Sequence, residues 1–156
     1  TERFEALARA QDLLTASNWQ ASGLDRVAAT ALASVNDGQR ITISGEPVEV
    51  GARAALSFTL VLHELATNAI KYGALSVPDG RVAVDWRMQA CSGGERLVFT
   101  WKEQDGPQVA APTRKGFGTR LIDSMGRSFG GRSELRYPPD GVCWLVEADP
   151  VRLTII

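Results

Sequence analysis

ARAALSFTLVLHELATNAIKYGA, residues 52–74, is the stretch on which the fold turns. It carries no Gly or Pro before Gly73, and its apolar residues recur at helical spacing, which predicts one long helix from 52 to about 74. At roughly 100° per residue, Phe58, Leu62, Leu65, Ala66 and Ala69 share one face, and Ser57, Glu64, Asn68 and Lys71 form a narrow polar stripe beside it. A solvated helix face accounts for such a stripe. Asn68 and its neighbour Thr67, however, are mediocre helix formers, so something other than helix stability selects Asn68. A carboxylate and an amide oxygen one turn apart can polarise a water or an acceptor and hold Mg²⁺ beside a phosphate chain. Lys71, one turn further on, can meet phosphate oxygens. His63 projects a quarter turn or more away from Glu64, so a packed structural histidine competes there with a catalytic one.

Upstream, residues 1–14 are rich in helix formers, with Phe4, Leu7, Ala8 and Leu14 near one face, but no cap precedes them; a helix begun further upstream is the expectation. A second helix is expected over 23–35, capped by Ser22, with Leu24, Val27, Ala28, Ala31 and Leu32 as its stripe and Asn36-Asp37-Gly38 ending it. Residues 40–44 and 48–50 alternate around Gly45 and read as a hairpin or a pair of short strands. Downstream of SVPDG, strands are expected over 81–88 and 96–103, because Val82, Val84, Trp86 and Leu97, Phe99, Trp101 recur at period two. QDGPQVAAPTRK (104–115) is a loop that opens a helix reaching about Ser128. A final hairpin over Pro138-Pro139-Asp140-Gly141 joins 132–137 to 142–147. This order gives an α+β fold, a two-layer sandwich with helices on one face of a mixed sheet.

If the alternation holds, Glu103 shares a face with Leu97, Phe99 and Trp101, where an unpartnered carboxylate is costly. Either the strand has ended and Glu103 is wet, or a ligand amino group partners it; the exocyclic amine of adenine would serve. Gly116-Phe117-Gly118 opens a helix whose free N–H groups can receive phosphate, although two glycines also make an ordinary loop-to-helix junction. The spacing is neither a Walker loop nor a dinucleotide fingerprint. Arg114 and Lys115 before it can meet terminal phosphates or be solvated loop charge.

Composition narrows the classes. With 156 residues, one domain is expected; 17 basic against 18 acidic residues leave a net charge of -1 and no footprint for nucleic acid or anionic lipid. No apolar run is long enough for direct membrane contact, so a cytoplasmic location is expected. Cys91 and Cys143 fit no metal or redox spacing and read as buried reduced thiols, and a single His excludes a His/Cys metal cage.

HELATNAIKYGALS (63–76) strongly resembles the N box of histidine kinases in the GHKL ATPase superfamily. TWKEQDGP (100–107) looks like the Trp-x-Glu form of the G1 region and GFGTRLI (116–122) like the G2 region, together pointing to the HWE histidine kinases. LARAQDLL and Trp19 resemble the link that follows the phosphoacceptor helices, so the resemblance implies a remnant of that helix and linker over 1–17 and a catalytic ATP-binding domain over 18–156. By the same resemblance Asn68 is the Mg²⁺ ligand, Glu64 the general base or water-positioning residue, Lys71 a phosphate contact, Tyr72 a neighbour of the nucleotide and Glu103 the reader of adenine. Gly106, Gly116, Phe117, Gly118, Thr119 and Leu121 would border the nucleotide, together with Arg114 and Lys115, and 105–115 would be a short ATP lid. The implied cofactors are ATP and Mg²⁺. The implied partners are a phosphoacceptor His domain of the same kinase and, through it, a response regulator.

Two departures stand out. Asp105 replaces the usual Gly, adding negative charge near the pocket, and the only His lies inside the N box. The chain is therefore expected to bind ATP without phosphorylating itself, and to be mainly monomeric by light scattering. Two other classes stay open. A Ser kinase of the anti-sigma type or an ATPase of the same superfamily would need no His domain; the former would leave acid-stable phosphate on a partner. A degenerate docking module would bind no nucleotide.

Overall fold

The computed structural model describes residues 22–111 and 117–154. The helix expected over 1–14, Trp19, Arg114, Lys115 and Gly116 lie outside the described residues. The elements run β1 (Ser22–Gly23), α1 (Leu24–Leu32), β2 (Ile41–Gly45), β3 (Glu49–Val50), α2 (Ala52–Lys71), a 3₁₀ turn (Ala74–Ser76), β4 (Arg81–Cys91) and β5 (Gly94–Gln104). They continue with α3 (Phe117–Ser128), β6 (Arg132–Arg136), β7 (Cys143–Ala148) and α4 (Pro150–Leu153).

Five strands form a mixed sheet in the order β2-β4-β5-β7-β6, parallel at β2/β4 and antiparallel elsewhere. Register aligns the apolar positions that alternation predicts: Trp86 lies opposite Phe99, Phe99 opposite Val146, and Trp101 opposite both Val84 and Trp144. All are buried, and they form one layer with Leu62, Leu65 and Ala69 of α2, Val27 and Ala31 of α1 and Ile122 and Met125 of α3. Phe99 is its centre. Its ring is 4.9 Å from Phe58, lies nearly parallel to Trp86 at 5.7 Å, and meets Trp144 edge-on at 5.7 Å. Offset and edge contacts of this kind add to the burial energy of the rings. The expected α+β sandwich is thus the observed one.

Five details differ from expectation. Ser22 does not cap α1; it pairs with Val50, and Gly23 stands at the cap without a side-chain bond. The strands at 41–45 and 49–50 do not pair with each other. β2 runs parallel to β4 and β3 pairs with β1, since alternation fixes which face a residue occupies but not its partner strand. The long helix ends at Lys71 rather than near Ala74, because Gly73 leaves the helix to pass a carboxylate described below. Cys91 is exposed at the β4–β5 turn and Cys143 is half-buried; both are free thiols. The short α4 was not foreseen, although Asp149-Pro150 is its signal: the Asp149 carboxylate accepts the Val151 N–H at 3.0 Å and Pro150 needs no donor in the first turn.

Candidate active site

β5 carries Glu103 inward on the face of Leu97, Phe99 and Trp101, as alternation requires, and leaves it 4% exposed. The strand has not ended and the carboxylate is not wet. Its partners are internal: Oε1 accepts the Ala74 N–H at 2.9 Å and Oε2 accepts the Trp101 indole N–H at 3.0 Å. Burial pushes the carboxyl above its ordinary range, and the two donors pull it back. Gly73 is close enough that a Cβ would stand 2.1 Å from Oε1. The Ala74 peptide is held at its other end as well. Arg40, just before β2, donates to Ala74 O at 3.2 Å, to Gly80 O at 3.0 Å and to Val77 O, which ties the whole segment after α2 to the sheet.

Glu103 borders a small cleft of about 30 Å³ together with Asn68 and Leu65 from α2, Val109 from the loop after β5, and Tyr137 and Val142 from the last hairpin. That is room for about one water. Asn68 is exposed at its edge, and Lys71 and Tyr72 are exposed just beyond it. The Tyr137 hydroxyl is held above its ordinary range by burial, with the charges of Asp123 and Glu103 adding to the effect. Gly106 is not in this cleft. It packs against Ala74, where a Cβ would meet the Ala74 Cα at 2.4 Å, and it opens instead onto a wider surface depression of about 700 Å³ beside Arg40, Asp79, Arg81 and Asp105.

Glu64 meets the first turn of α3: a Cβ on Gly118 would lie 2.2 Å from its Oε2. The structure therefore brings the acid of α2 against the start of α3, and Asn68 to the same cleft as Glu103. Thr119 is half-buried in that turn, and Leu121 packs onto the core rather than facing the cleft. Asp105 adopts φ 59°, a left-handed conformation that Gly occupies freely and Asp tolerates better than most residues. The backbone thus explains why a Gly is usual there. His63 Nε2 is buried without a hydrogen-bond partner, in keeping with a packed histidine. Sequence reasoning missed Arg40, Val109 and Tyr137. It also missed the donor role of Trp101, though its place two residues before Glu103 on one strand face was a usable signal.

Among the described residues no three His, Cys, Asp or Glu side chains group to hold a metal, and no helix is long and apolar enough to cross a membrane. A cation at Asn68 would need oxygens from a bound phosphate chain, which suits Mg²⁺.

Residues 1–47 match the model of the HWE histidine kinase family. The chain is 39% identical over 145 residues to a blue-light-activated histidine kinase of Brucella anthropi, covering 91% of this chain and 30% of that protein. The chain thus carries a match to the HWE histidine kinase model in its first 47 residues and is similar along most of its length to histidine kinases. A blue-light-activated histidine kinase of Brucella ovis is likewise 39% identical over 127 residues, 80% of this chain and 26% of that protein. The chain thus spans under a third of the length of these relatives. In fold it is similar to the histidine kinase domain of the Erythrobacter litoralis blue-light-activated histidine kinase, with a TM-score of 0.69 at 18% identity over 97% of this chain and 76% of that one. It is also similar to the ATP-binding domain of PrrB from Mycobacterium tuberculosis, with a TM-score of 0.55 at 13% identity over 83% and 95%.

Proposed function

We propose that this chain is the catalytic domain of an HWE histidine kinase, which binds Mg-ATP and passes the γ-phosphoryl group to a His outside residues 1–156, for relay to a response regulator. The observation that carries the reading is the convergence of three separate motifs. Asn68 of α2 and Glu103 of β5 border one cleft, and Glu64, one turn before Asn68, lies against Gly118 at the start of α3. In this reading residues 18–156 form the catalytic domain and 1–17 the end of the phosphoacceptor helix. The adenine amine donates to Glu103, Asn68 holds Mg²⁺ on the phosphate side, Lys71 neutralises phosphate oxygens, and Glu64 orients the attacking imidazole. Tyr72, Arg114, Lys115 and Gly116 border the phosphates or the ribose, and Gly106 lets the lid turn. Mg²⁺ supplies charge neutralisation on the transferring group; the protein supplies position and field. The cleft as it stands is too small for a purine, so admitting adenine displaces Val109 and shifts Tyr137.

The test is calorimetric titration with a non-hydrolysable ATP analogue, with and without Mg²⁺, for the wild type, Asn68→Ala and Glu103→Ala. Binding weakens without Mg²⁺ or Asn68, and separately without Glu103. Binding that is indifferent to both substitutions refutes the assigned site.

A further inference from the structure

Three buried tryptophans lie in the sheet, and the indole N–H of each has a partner. Trp86 donates to the Glu46 carbonyl at 2.8 Å and Trp144 to the Ser133 hydroxyl at 2.7 Å, and neither acceptor lines the cleft. Trp101 alone among them donates to an ionisable side chain that borders the cleft. Its ring is fully buried, in register with Val84 and Trp144, a packing role that any large apolar side chain can share in part. What only Trp adds at this position is a rigid N–H aimed at Glu103.

We infer that Trp101 is a specificity-determining positioning residue: its indole, with the Ala74 amide, fixes the Glu103 carboxylate so that the cleft accepts a purine bearing an exocyclic amine and rejects one that does not. This rests on the nucleotide reading above. Each carboxylate oxygen has two acceptor sites, and each spends one on an internal donor, Oε1 on Ala74 and Oε2 on Trp101. The remaining sites are held in a defined plane at the cleft. Both internal partners are N–H donors, so each carboxylate oxygen already acts as an acceptor in the resting site. A base presenting an acceptor or a bare C–H there leaves the buried carboxylate short of a donor, and that is how polar sites discriminate strongly. Without the indole, Oε2 loses its anchor, the carboxyl rotates about its last torsion, and the preference for an amine fades. Tyr137 is the other ionisable side chain bordering the cleft among the described residues.

The experiment compares two probes on the full chain: the imido analogue of ATP and its counterpart whose purine lacks the 6-amino group. For Trp101→Phe, affinity for the amine-bearing probe falls about tenfold or more, the scale of one hydrogen bond to a charged group, while the amine-free probe binds as it does to the wild type. Equal weakening of both probes, or of neither, overturns the inference and leaves the nucleotide reading standing. A wild type that binds neither probe overturns both. Should Trp101→Phe fail to fold, the Trp101 indole proton of the wild type carries the test. It resists solvent exchange, and its resonance moves on binding the amine-bearing probe and not the other; a resonance that responds to both alike sinks the proposal.

Discussion

Asp105 holds a left-handed φ of 59° between the end of β5 and the loop that follows, and a β-carbon makes that conformation costly. Asp bears it better than β-branched residues do. Asp105→Gly is therefore expected to leave stability unchanged or raise it by less than ~1 kcal/mol, and Asp105→Val to lower it by about 1–3 kcal/mol, in urea unfolding. Equal effects of the two would remove the backbone explanation for this position. Glu103 offers a sign that can be checked. Its folded carboxyl is held above the ordinary value of 4.5, so on raising the pH the unfolded chain gives up this proton before the folded chain does. The stability associated with Glu103 is present below the ordinary carboxylate range and is lost as pH rises through the raised folded value. Subtracting the stability of Glu103→Gln from that of the wild type over a pH series should give a curve that falls with pH. A salt-bridged carboxylate would give one that rises.

The segment after α2 is held by side chains rather than by its own regularity. Arg40 reaches three carbonyls in it from 34 to 40 residues away, and Glu103 takes the Ala74 N–H from the other side. Arg40→Ala should cost about 1–3 kcal/mol, and Arg40→Lys should recover only part of this, since a single ammonium cannot match the guanidinium fork. Hydrogen exchange at the Ala74 amide is the direct readout; unchanged protection there would show that Glu103 alone holds the turn. This segment also marks where the sequence stops being readable. α2 is twenty residues of sustained amphipathic pattern, and its face could be read to the residue. The inward side of Glu103 could be read from Leu97, Phe99 and Trp101. Its Ala74 partner could not, because Ala74 lies 29 residues away and reaches it only through the tertiary turn. For the same reason β2 and β3 were visible as strands while their partners were not.

At the scale of the molecule, one apolar sheet face covered by helices brings the ends of α2 and β5 to one cleft and sets the start of α3 against Glu64, and these are the three places where the recognisable motifs lie. Layer order and fold class follow from patterning alone, which is why they were legible. The target of phosphoryl transfer is a question for the whole chain. The only His in the 156 residues is His63, a half-buried residue of α2 whose Nε2 is buried and so is not presented to a phosphoryl donor. Incubated with Mg-ATP, the chain should gain no acid-labile phosphate by itself, and His63→Gln should leave its affinity for the ATP analogue within about threefold, since no bond to the nucleotide is lost. Added to a dimeric helical segment bearing the acceptor His of the same kinase, it should phosphorylate that segment, and Asn68→Ala should abolish the transfer. Label appearing on His63 would mean that the N-box histidine turns outward during turnover, and acid-stable label on a partner would move the chain to the Ser kinases of the same fold.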